Sequence, residues 1–195
     1  QRAYLFIDVE TSGPCCIDNS LLAIGYTLCD ESYRPLKNGI LCFKMSPGTD
    51  FNAYTLDRFW KKSGPASVLR DVINPAAIHP RDAMQQFVSM VDGIDSIYKL
   101  SIVSDLPSFD IAFVNYYMSK YMQRNGLSYK YGKFFDHTRI VCMRSYLTGM
   151  YGFGAYKTLR RRRFKNVTYN HNPQNDSMYL MYLYSSCVRE PQLST

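Results

Sequence analysis

Residues 3–10 read Ala-Tyr-Leu-Phe-Ile-Asp-Val-Glu, and no other stretch constrains the chain as much. Val, Ile, Phe and Tyr favour a pleated, packed backbone. A run this apolar, broken by Thr11, Ser12, Gly13 and Pro14, predicts a buried central strand followed by a turn. Side chains alternate along a strand, so Asp8 and Glu10 project to the same side. Two acids on one face of a buried strand repel each other and are costly to desolvate, so something positive must neutralise them. A hard divalent cation with oxygen ligands is the simplest candidate. The alternative is an edge strand with two solvated acids, and the rest of the chain decides between them.

Further strands are predicted over residues 21–29 and 35–44, and the short turns between them favour an antiparallel meander. Phe59 and Trp60 lie in a predicted short helix over residues 55–62, ended by Gly64 and Pro65. His79 and Pro80 open a helix with apolar Ala83, Phe87, Met90 and Val91 at helical spacing. Residues 97–103 read as a strand that delivers the chain to Ser104, Asp105, Leu106, Pro107 and Ser108. A long helix over residues 109–124 follows. Residues 129–135 are aromatic, with room for a short strand, and Asp136, His137, Thr138 and Arg139 lead into a helix reaching Leu147. A last helix is predicted over residues 176–187, after the polar turn Asn170-His171-Asn172-Pro173-Gln174-Asn175. With no repeats and no linker, residues 1–195 are expected to form one α/β domain.

No run approaches the roughly 20 apolar residues of a membrane span, and no signal peptide is visible. The chain opens on Gln1 rather than Met, consistent with trimming from a longer product. The six cysteines include no C-x-x-C pair, which points to a reducing intracellular, cytoplasmic setting without structural zinc. A formal charge of +7 favours polyanionic partners, nucleic acid first.

The acids can now be set together. Asp8 and Glu10 end the first strand, Asp110 begins the helix after the fourth, and Asp176 begins the last helix with His171 five residues before it. Acids at strand ends and helix starts can converge at one edge of an α/β sheet. Three motifs carry a resemblance: Asp8-Val9-Glu10-Thr11-Ser12-Gly13, then Ser104 to Asp110 with its Phe109-Asp110 pair, then His171 with Asp176. In order and separation they resemble the DEDDh family of 3′–5′ exonucleases across essentially the whole chain. Phe59-Trp60 and the Asp136-His137-Thr138-Arg139 segment resemble the branch holding oligoribonuclease, RNase T and the DexA-like phage enzymes. There are departures: Pro173 and Ser177 stand where Ala is common, and Asp105 where Asn is common, adding a possible rival acid.

The resemblance implies an RNase H-like mixed sheet of about five strands flanked by helices. It implies a metal-dependent 3′–5′ exonuclease that hydrolyses single-stranded RNA or DNA from its 3′ end to nucleoside 5′-monophosphates. Two divalent ions about 3.5–4 Å apart would clamp the attacking and leaving oxygens. Asp8 would bridge both ions, Glu10 and Asp176 would complete one site, and Asp110 would support the other. Mg²⁺ is the expected ion and Mn²⁺ its substitute, with His171 as general base. Thr11, Ser12 and Gly13 are candidates to cradle the terminal nucleotide. Trp60 is either a base-stacking ring or a core residue. Arg160, Arg161, Arg162 and Arg163, just before the third motif, read as phosphate contacts rather than a solvated basic face. His79 and His137 are left out of the catalytic set. The alternatives are a nucleic-acid-binding module on the same fold with weak or no hydrolysis, and an RNase H-like endonuclease.

Overall fold

β1 (Arg2–Thr11) is the predicted first strand, central in the five-stranded sheet of the computed structural model, which describes residues 1–122, 139–162, 164 and 167–189. The other strands are β2 (Leu21–Asp30), β3 (Pro35–Cys42), β4 (Lys99–Ser104) and β5 (Ile140–Cys142), in the order β3-β2-β1-β4-β5. β1 pairs antiparallel with β2, and β2 with β3, as short turns require. β4 lies parallel to both β1 and β5, after longer crossovers. The sheet is therefore mixed, as the resemblance implies.

Alternation along β1 sorts its side chains between two layers. Leu5, Ile7 and Val9 join the apolar cluster packed with α4 (Pro80–Asp95) and α5 (Pro107–Met122). Phe6 faces the other way, with α6 (Met143–Tyr151), α7 (Ala155–Leu159) and α8 (Pro173–Arg189). Each fully buried Leu, Ile or Phe of this kind stabilises the fold by about 1.5–3 kcal/mol. Both faces of β1 being covered pins its register, since a slip of one residue would exchange Ile7 for Asp8.

Three elements differ from expectation. The helix expected to stop at Gly64 and Pro65 is the start of a chain of short turns. These are α1 (Ala53–Thr55), a π-helical turn (Leu56–Trp60), α2 (Ser63–Val68), a second π turn (Leu69–Ile73) and α3 (Asn74–Ala76). Pro65 falls in the first turn of α2, where backbone N–H groups have no intrahelical partner to lose. Ile140, Val141 and Cys142 pair with Ile102, Val103 and Ser104 as the last strand, inside a stretch expected to be helical, and the helix starts only at Met143. The strand expected in residues 129–135, together with Asp136, His137 and Thr138, lies outside the described residues. α8 begins at Pro173 rather than near Asp176, with proline at the first helical position, where its fixed φ fits and no N–H is missed.

Candidate active site

The acids of β1 lie opposite two small residues of β2. Asp8 is in register with Gly25 and Glu10 with Ala23. A Cβ on Gly25 would stand 1.9 Å from the carbonyl carbon and oxygen of Pro173 and 2.5 Å from the Gln174 amide nitrogen. The missing side chain lets the first turn of α8 rest on the sheet beside Asp8. Hydrogen bonds hold it there: Asn38 Nδ2 donates to the Gln174 carbonyl at 3.0 Å, Gln174 Nε2 donates to Asn38 Oδ1 at 2.7 Å, and the Thr27 and Ser177 hydroxyls lie 3.0 Å apart.

Asp176 is thereby carried, fully buried, to the carboxylates of β1. Its two oxygens accept the backbone amides of Asn170 and His171, each at 2.9 Å. His171 adopts a left-handed backbone with φ of 63°, which turns the chain into the helix. Its ring meets Phe59 edge-on at 4.8 Å and Tyr169 at 5.4 Å. Asp110, in the first turn of α5, accepts from the Ser104 hydroxyl and from the Leu106 amide at 3.3 Å. All four carboxylates are buried, and Asp8, Glu10 and Asp110 border one cavity of about 390 Å³ together with His171.

Packing four acids here has an electrostatic cost. Burial, then repulsion from Asp176, Glu10, Asp110 and Asp105, holds the Asp8 carboxyl well above its usual range. Burial and the charges of Asp176 and Asp110 do the same to Glu10, against a lowering pull from Arg160. Burial pushes Asp110 up to about 7, and it pushes Asp176 up to about 7 despite the amides of Asn170 and His171. His171 moves the opposite way, lowered by burial and then by Arg160 and Lys62. Protons or hard cations would relieve this repulsion, and the donor set suits such cations, since carboxylate oxygens are the ligands they take. Glu10, His171 and Asp176 each offer a ligand atom within 4.8 Å of the others.

The remaining predicted site residues divide. Thr11 borders the cavity, but Ser12 and Gly13 do not. The Ser12 hydroxyl donates to the Asp50 carbonyl at 3.0 Å and accepts the Ser20 amide at 2.8 Å, while Gly13 leaves room for Asn19 and Asn52. Both hold the turn after β1 rather than face a ligand. Trp60 takes its core reading: it is 2% exposed, and its indole N–H donates to the Thr11 carbonyl at 3.0 Å. The base-stacking alternative has no exposed ring to use. Arg160 borders the cavity and lies 3.8 Å over the Tyr169 ring. Arg161 is exposed and Arg162 reaches Ser186 at 3.4 Å; neither borders the cavity. Arg163 lies outside the described residues. Asp105 is no rival ligand, being held bidentate by Arg144 at 2.7 and 2.8 Å.

Sequence reasoning missed Tyr54, Arg58, Phe59, Arg144 and Tyr169 as lining residues. The wide turn at Leu56–Trp60, closed by the Lys61 amide on the Leu56 carbonyl at 2.9 Å, puts Phe59 on the cavity and Trp60 in the core. Turns of this kind recur at functional sites.

No protein-family model matches the chain, and no curated protein sequence does. Solved structures do match in fold. Pop2p of S. pombe, in its Mg²⁺- and Mn²⁺-bound form, superposes with a TM-score of 0.65 at 10% identity, over 97% of this chain and 84% of that one. E. coli exonuclease I in complex with a dT13 oligonucleotide gives 0.60 at 11% identity, over 99% of this chain and 42% of that one. The nuclease domain of 3′hExo, a DEDDh family member bound to rAMP, gives 0.59 at 11% identity, over 97% and 92%. This chain thus spans less than half the length of exonuclease I. The chain shares its fold with these proteins, an RNase H-like mixed five-stranded sheet flanked by helices. Among the described residues no helix is long and apolar enough to cross a membrane.

Proposed function

We infer that this chain is a metal-dependent 3′–5′ exonuclease, acting on the 3′ end of single-stranded nucleic acid and releasing nucleoside 5′-monophosphates. The observation that carries the reading is the meeting of Asp8, Glu10, Asp110 and Asp176, from three separate elements, with His171 beside them. Such a set has no structural use that apolar residues would not serve better. Its neighbours in fold include Pop2p with Mg²⁺ and Mn²⁺ bound and an exonuclease with an oligonucleotide bound.

Asp8 feels the other three acids at once, which suits it to be the ligand shared by two ions. Glu10 and Asp176 would hold one ion and Asp110 the other. The ions, Mg²⁺ or Mn²⁺, would supply the charge that stabilises the attacking and leaving oxygens. His171 kept neutral by burial would accept a proton from the attacking water at a ring nitrogen. Its aromatic neighbours Phe59 and Tyr169 fix the ring's orientation. Arg160, at the cavity wall, would meet the phosphate.

Digestion of matched 3′-labelled and 5′-labelled RNA and DNA oligomers tests this, with Mg²⁺, Mn²⁺ or EDTA. Mononucleotides should leave the 3′ end stepwise, and only with metal. Cleavage of a circular strand would point to an endonuclease, and binding without hydrolysis to a binding module.

A further inference from the structure

Asp105 sits on the turn between β4 and α5, buried, where a lone carboxylate would add to the repulsion on Asp8 and Asp110. Arg144, at the start of α6, offsets part of that charge by gripping it with Nε and Nη2 at 2.7 and 2.8 Å. That fork fixes the guanidinium plane. The Tyr156 ring lies 5.0 Å from Arg144 Cζ and 5.9 Å from Arg160 Cζ, so one tyrosine stands near two cations. Both arginines border the cavity.

The two cations differ in what they face. Arg160 acts on Asp8, Glu10 and Asp176. Arg144 faces Asp105 foremost, then Tyr156 and Tyr169. Arg144 lines the same cavity, held there by Asp105 and close to the Tyr156 ring that Arg160 also approaches. A guanidinium carries five N–H donors, and Asp105 takes two of Arg144's.

We propose that Arg144 contacts the backbone phosphate adjoining the reacting one, with Asp105 as its positioning residue. The inference rests on the nucleic-acid reading above. The acid that departs from the family pattern thereby acquires a role, which is to aim a cation at the strand.

The test measures oligonucleotide binding across a salt series, with Ca²⁺ in place of Mg²⁺ or Mn²⁺. Arg144→Gln should weaken affinity about ten-fold and flatten the slope of log affinity against log salt by about 0.7, the value for one single-strand phosphate. The pair Asp105→Asn with Arg144→Gln leaves no unpaired buried charge, which guards against misfolding, and should keep the flattened slope. Restoration of wild-type affinity and slope in that pair would mean that Arg144 merely cancels Asp105, and overturns the proposal. A wild-type slope in Arg144→Gln overturns it as well. In hydrolysis, the rise in KM should be at least about ten-fold larger on a pentanucleotide than on a dinucleotide, which lacks the adjoining phosphate. An equal rise on both overturns the contact. Binding with the expected slopes but no hydrolysis by the wild type supports the contact and sinks the exonuclease reading.

Discussion

The acidic and basic walls of the cavity are held in opposite ways. Asp110 and Asp176 are fixed by backbone amides and a serine hydroxyl, on two helix starts packed against the sheet. Arg144 and Arg160 are held by side chains, the one through Asp105 and the Tyr156 ring, the other over the Tyr169 ring. The acids carry a repulsion that the fold has to bear, whereas Arg144 is balanced by Asp105 and Arg160 lies over a neutral ring. A rigid wall suits ions that demand set ligand positions. A wall of long side chains suits a strand whose bases differ from one binding event to the next.

Asp8→Ala should break the acidic wall outright. Turnover should fall below detection, while the metal-free protein gains stability because a buried, repelled carboxyl is gone. Full activity with Mg²⁺ would remove the case for a shared ligand. His171→Ala should cost about 10²–10⁴-fold in turnover, the usual contribution of a positioned base. Calorimetric metal titration should show near-normal binding in that variant and a lost site in Asp176→Ala. Equal losses in the two would make His171 a ligand, as its closeness to Glu10 and Asp176 also permits.

The acidic wall also predicts how metal-free stability depends on pH. Asp110 and Asp176 sit at about 7 when folded and near 3.8 when unfolded. The folded state thus holds more protons through that window, so stability falls as pH rises from about 4 to about 7. Thermal melts in EDTA should show the midpoint dropping over this range, and Mg²⁺ or Mn²⁺ should restore it more at about pH 7.5 than at about pH 5. A midpoint that climbs instead would mean the acids are already neutralised.

The smallest effects separate the basic residues. Arg160→Ala should raise KM about ten- to hundred-fold, as loss of a charged hydrogen bond of about 1.5–3 kcal/mol implies. Arg161→Ala, exposed and off the cavity, should change it less than about three-fold. A comparable loss from both would return the whole run to the binding surface.

The acidic wall was readable in the sequence because local rules place it. A period of two puts Asp8 and Glu10 on one face, and helix starts place Asp110 and Asp176. The basic wall was largely not readable. Arg144 gains its place only when α6 packs beside Asp105, 39 positions earlier. Phe59 and Trp60 are adjacent, and nothing in their composition says which faces the cavity; a π turn decides it, and ordinary helical periodicity does not describe one. β5 escaped because three residues are too few to show alternation, and pairing with β4 alone defines it.

Gly25 touches no substrate in this scheme, yet it is the floor on which the first turn of α8 rests. An added methyl group would collide with main-chain atoms rather than with a yielding side chain, and Asp176, three positions along the helix from Pro173, would have to move with them. A random-mutagenesis screen for inactive variants would therefore return Gly25 alongside the carboxylates. Sorting hits by loss of activity alone would file it among the reacting groups. Only a second readout of where the helix sits, such as amide exchange along its first turn, would reveal it as a spacer.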